Sequence, residues 1–190
     1  MTLNMRTTSG STVTSRTVNL RITSPVTFQG YSAIEAEAVT SGLVGRTYMM
    51  NDGLQETIYG SVSETTIGGT ATTVNTPPLT MSNSLQPGQA ETSTYTATTT
   101  YIGTPVPIPA SSITYTQMRR FEGLETVTVP AGVFTDACKW TYETTTTSPP
   151  STTTSTLWMS RGTGITLRIL SGGGNDVLVS GTLNGRPIAP

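Results

Sequence analysis

From Phe121 to Leu170 the chain runs FEGLETVTVPAGVFTDACKWTYETTTTSPPSTTTSTLWMSRGTGITLRIL. Glu125 to Val129 alternates with β-branched residues. Pro130-Ala131-Gly132 then reads as a turn, because proline fixes φ and glycine permits the positive φ of a reversing chain. In the return strand Cys138, Trp140 and Tyr142 fall on one face, and Lys139, Thr141 and Glu143 on the other. Trp158 and Met159 open a third strand, Gly162 and Gly164 flank a second turn, and Ile165, Leu167 and Ile169 alternate with Thr166 and Arg168. Strand, turn, strand, turn, strand is an antiparallel meander.

Working outward, Val18, Leu20 and Ile22 alternate with Asn19 and Arg21 as a strand that Pro25 ends or marks as an edge. Tyr31 to Val39 reads as a strand rather than a helix, since its period of two is the cleaner one. Asn51-Asp52-Gly53 between Val44–Met50 and Leu54–Val62 predicts a hairpin. Residues 65–88 carry Gly68-Gly69, Pro77-Pro78 and Pro87-Gly88, and are expected mainly to connect. Gln89 to Ile102 is a long threonine-rich strand, three prolines then impose an extended link, and Ile113 to Phe121 resumes the sheet. Thr144 to Thr156 is the one low-complexity run, an extended hairpin with Pro149-Pro150 at its tip or a loop. Residues 1–11 are expected to form a flexible tail unless an oligomer or a sheet edge holds them. Residues 12–190 form a single β domain.

The order Val129-Pro130-Ala131-Gly132-Val133-Phe134, then Cys138, Trp158 and Gly162-Thr163-Gly164, resembles a broad set of uncharacterised bacterial periplasmic proteins and lipoproteins. The resemblance implies an envelope protein with a curved antiparallel sheet, some members being similar to the lipoprotein-carrier half-barrels. Two departures stand out: the run Thr144 to Thr156 follows the strand after the cysteine, and no lipobox cysteine is present.

Composition agrees on class. Threonine alone supplies about a fifth of the chain, and its branched side chain packs well on a pleated surface. The expected fold is all-β and mainly antiparallel, a single strongly curved sheet or open barrel, with a β-sandwich as the alternative. Only 11% of residues are charged and the net charge is -1, so no basic field exists to hold nucleic acid. There is no histidine and a single cysteine. That removes Ser-His-Asp and Cys-His catalysis, histidine-ligated zinc and an internal disulfide. No catalytic residue, metal or cofactor is expected. No apolar run approaches the ~18 residues of a spanning helix, and the N-terminal residues lack a signal peptide's apolar middle. A periplasmic or extracellular setting is expected, with the export signal absent.

Each candidate site has a plainer reading. Cys138 reads as a small buried hydrophobe. Glu35 and Glu37 share a solvated face, Asp52 and Asp176 belong to glycine-rich turns, and Gly162-Thr163-Gly164 and Gly172 to Gly174 are strand reversals. Arg119-Arg120 reads as exposed sheet-edge arginine. Tyr48, Tyr95, Tyr101, Trp140 and Trp158 either fill the core or line a groove for an apolar ligand. Two functions follow. One is a non-enzymatic envelope protein whose concave sheet holds a lipid or other apolar ligand. The other is a structural or adhesive subunit of a homo-oligomer or extracellular assembly, joined through strand edges.

Overall fold

The computed structural model describes residues 1–190, apart from the side chain of Ser24. Alternating sequence becomes thirteen strands: β1 (Thr2–Ser9), β2 (Thr12–Phe28), β3 (Tyr31–Thr40), β4 (Leu43–Asn51), β5 (Gln55–Glu64), β6 (Thr70–Ser82), β7 (Ala90–Ile102), β8 (Ser111–Val129), β9 (Gly132–Thr147), β10 (Pro150–Met159), β11 (Thr166–Ser171), β12 (Gly174–Leu183) and β13 (Arg186–Pro187). Each pairs antiparallel with the next, and β1 also pairs with β12. The single curved sheet therefore closes on itself as a twelve-stranded barrel, with β13 a short flap on the end of β12.

Closure corrects the expectation for the N-terminus. Thr2 to Ser9 lies between β2 and β12, in register from Thr2↔Thr182 to Ser9↔Gly174. Leu3 and Met5 are buried at 5% and 4% exposure. The tail read from 1–11 is a central strand. Residues 65–88 are corrected likewise, since β6 runs through Pro77-Pro78 for 13 residues. The threonine run forms the extended hairpin, with Thr144 opposite Thr153 and Thr147 opposite Pro150.

Two apolar clusters fill the molecule. The larger joins Leu3 and Met5 to Val127, Val129, Phe134 and Ala137 of the β8–β9 hairpin, and to Trp158, Ile165, Leu167, Val177 and Leu178. The smaller holds Phe28, Ala33 and Tyr59, with Phe28 stacked on Tyr48 at 4.2 Å. A bulge explains how one hairpin serves the larger cluster at its tip and a different site lower down. Pairing passes from Phe121↔Trp140 to Gly123↔Lys139, leaving Glu122 as an extra residue. Ala137 and Trp140 stand on opposite faces of β9, yet both are buried.

Between β6, β7 and β8 the wall is held by hydroxyls. Thr73 pairs with Thr99 at 2.9 Å, Thr96 with Thr114 at 3.0 Å, Thr94 with Thr116 at 3.2 Å and Thr98 with Ser112 at 2.9 Å. Each such cross-strand pair adds a few tenths to about 1 kcal/mol over alanine.

Candidate functional site

At the end of the barrel where β8 turns into β9, the β10–β11 connection and the C-terminal segment line an open cavity of about 560 Å³. Its apolar lining comes from Ile165, Leu183, Pro187, Ile188 and Ala189, its polar lining from Ser160, Thr163, Asn184 and Arg186. Local bonds build the rim. The Ser160 N–H donates to the Ile165 carbonyl at 2.8 Å and the Gly164 N–H to the Ser160 carbonyl at 3.0 Å, closing the Gly162-Thr163-Gly164 reversal. On the other side the chain turns at Asn184-Gly185, and the Ile188 N–H donates to the Gly181 carbonyl at 2.9 Å. Ile165, only 4% exposed, belongs at once to the larger core cluster and to this cavity. A smaller cavity of about 290 Å³ adjoins it across Ser160 and Ala189, lined by Phe134, Ala137, Asp136 and Arg161 among others. Pro190 lies against Gly132, whose φ of +143° and lack of Cβ allow the approach.

The five aromatic candidates are not gathered here. Tyr48 belongs to the smaller cluster, where burial holds its phenol above the ordinary value and a hydrogen bond to Glu35 adds to the rise. Tyr95 stacks on Tyr115 at 5.4 Å, and burial raises its phenol too. Tyr101 is half-buried opposite Ala71. Trp140 lies against Phe121 at 4.7 Å. Trp158 sits in the larger cluster between Lys139 and Arg168, 5.3 and 5.2 Å from its ring centroid. Its indole N–H donates to Glu125 Oε1 at 3.1 Å, while Lys139 binds Glu125 Oε2 at 2.7 Å. The Lys139 hydrogen bond above all, helped by that of Trp158, holds the Glu125 carboxyl below its ordinary range against the opposing effect of desolvation.

Cys138 is half-buried, on the face away from Ala137, paired with the exposed Leu124, and stands outside the core clusters. Partial burial still pushes its thiol up. Glu35 and Glu37 are half-buried against Arg46, at 3.9 and 3.0 Å. Asp52 accepts from the N–H groups of Leu54 and Gln55 as a turn residue. Asp176 lies within β12 and pairs with Arg16 at 2.7 Å.

Arg119 is the largest departure from the sequence reading. It is 5% exposed, not an edge arginine. Its surroundings follow from a detour in β6. The β5–β6 ladder jumps from Gly60↔Val74 to Ile58↔Leu79, so Asn75 to Pro78 have no β5 partners. The β6–β7 ladder stops at Thr76↔Thr96, where two prolines follow without N–H donors. Side chains fill the places the backbone leaves. The buried Asn75 Nδ2 donates to the Ile58 carbonyl at 3.2 Å. Ser93 Oγ donates to the Thr80 carbonyl at 2.8 Å. Glu91 accepts from the Ser82 N–H at 2.8 and 3.1 Å, and Arg119 donates to the Ser82 carbonyl. Arg119 also holds Glu91 Oε1 at 3.0 Å and lies 4.4 Å over the Trp140 ring. The nearby Tyr142 phenol is raised by burial and drawn the other way by Arg119. Among the described residues no buried side-chain polar atom lacks a partner, so the seam is a structural clasp more than a vacant binding site.

The fold defines an all-β, antiparallel barrel, and comparison with known proteins gives the family. Residues 47–183 match the family described as DUF3108-like, and the chain belongs to it. That span contains the whole stretch from Val129 to Gly164 on which the resemblance to uncharacterised envelope proteins rests. Among solved structures, the hypothetical lipoprotein YmcC from Escherichia coli K12 is similar at a TM-score of 0.49 and 14% identity, over 92% of this chain and 84% of that one. No curated protein matches.

Proposed function

We propose that this chain is a non-enzymatic envelope protein that holds an apolar ligand, such as a lipid chain, in the cavity at the end of the barrel. The observation that carries the reading is Ile165, which makes the cavity floor continuous with the core. A ligand chain lying on Ile165, Leu183 and Ile188 extends the apolar interior, and each methylene removed from water contributes ~0.8 kcal/mol. The volume of about 560 Å³ lies in the usual range for small-molecule sites. The absence of histidine and the raised Cys138 thiol support a binding role over nucleophilic catalysis. The low charge content and single lysine support an envelope setting.

Native mass spectrometry of protein purified from its own organism, followed by organic extraction, tests the reading. The expected result is a reproducible lipid-sized mass that is lost in Leu183→Trp, which fills the cavity mouth. Protein that is empty in the native source overturns it.

A second reading, an assembly subunit, is favoured by the opposite end of the barrel. There Ile67, Ile102 and Val106 are 56%, 70% and 69% exposed, and the turn at Gly69 touches the Ile102 carbonyl. Closure uses up the long strand edges, so this rim, not edge pairing, would join the copies. The same spectra then show a defined oligomer without a ligand.

A further inference from the structure

The cavity's lining contains one charged residue, Arg186, and no carboxylate. Arg186 is exposed at the mouth and has no ion-pair partner among the described residues. The adjoining smaller cavity adds Arg161 and Asp136, a balanced pair of side-chain charges, so Arg186 is left as the one unmatched charged side chain lining the two cavities. A neutral chain filling the cavity would take water from the guanidinium and return nothing. An anionic head returns a charge-assisted, forked hydrogen bond, and the mouth is open enough that neither ion is fully stripped of water.

We propose that the ligand is an amphiphile with a single anionic head, a carboxylate or phosphate, held at Arg186 while its apolar chain lies on Ile165, Leu183 and Ile188. This rests on the apolar-ligand reading above and adds the chemistry of the head.

Calorimetric titration of the full chain with decanoate, decanol and acetate at neutral pH tests it. Decanoate is expected to bind about three- to fivefold more tightly than decanol, the modest margin of an exposed ion pair. Acetate alone should show no binding at the same concentrations. In Arg186→Gln, with the fold checked by circular dichroism, the preference for decanoate over decanol should fall within twofold. An unchanged preference in Arg186→Gln overturns the assignment of the head to this residue. Equal binding of decanol and decanoate by the native chain overturns the anionic head and leaves the apolar cavity standing. Acetate competing as well as decanoate overturns the amphiphile in favour of a simple anion site. If neither decanol nor decanoate binds, the apolar-ligand reading itself falls, and the head group with it.

Discussion

The barrel has two places where strands meet across a difficulty, and they are solved differently. β1 and β12 come from opposite ends of the chain, yet they meet by an eight-pair backbone ladder with one bulge, backed by Leu3, Met5 and Leu178. β6 and β7 are joined by a loop of seven residues, 83–89, yet their ladder lapses after Thr76↔Thr96. Side chains of Glu91, Ser93 and Arg119 span the rest. Sequence distance did not decide where backbone bonding fails. Two prolines did, by removing N–H groups from a strand that must stay in the sheet.

The largest expected effect lies at the first seam. Leu178 is fully buried, and Leu178→Ala should cost about 4 kcal/mol from lost transfer energy and the cavity left behind. Urea unfolding measures it, and a loss below ~1 kcal/mol would mean that the closure is held by backbone bonds with little help from the core.

The clasp comes next. Arg119→Ala strands Glu91 and the Ser82 carbonyl in partly buried positions and should cost about 3 kcal/mol. In a double-mutant cycle with Glu91→Ala the two losses should not add, differing from the sum by more than ~1 kcal/mol. Additive losses would show that the two side chains act separately and that the second seam has no clasp.

The smallest effect is a control at a surface pair outside both seams. Glu125 has a folded pKa below its ordinary value, chiefly through Lys139. Its contribution is present above the unfolded pKa and is lost as pH falls through the folded one. Because the carboxylate is largely exposed, Glu125→Gln should remove less than ~1 kcal/mol at neutral pH. The variant's stability should converge on that of the native chain in the acid range. A gap that persists once the carboxylate is protonated in the folded chain would assign the effect to packing on Trp158 instead of charge.

Most strands were legible because their partners lie next to them in the chain and one face is apolar. The Asp52-Gly53 hairpin and the Pro130-Ala131-Gly132 turn needed nothing from the rest of the molecule. β1 was hidden because TLNMRTTS offers only Leu3 and Met5, and its reason to be ordered lies some 170 residues away in β12. β6 was hidden because Pro77-Pro78 reads as a break in a strand, whereas here Asn75, Glu91 and Arg119 make good the missing bonds. Arg119 itself was hidden because arginine reads as a surface residue, whereas its burial depends on Glu91, the Ser82 carbonyl and Trp140, all remote in sequence. The cavity left one local trace, the Asn184-Gly185 turn between Leu183 and Arg186. Its other wall, Ser160 to Ile165, is remote in sequence.

The hydroxyl pairs between β6, β7 and β8 carry a consequence for the medium the protein can tolerate. A wall riveted by ion pairs weakens as dissolved salt screens them, and it changes again when acid neutralises one partner. Rungs made of threonine have no charge to screen and no proton to lose near neutrality. Away from the Glu91–Arg119 clasp, that side of the barrel keeps its grip from dilute to briny surroundings, an asset for a chain with little charge of its own.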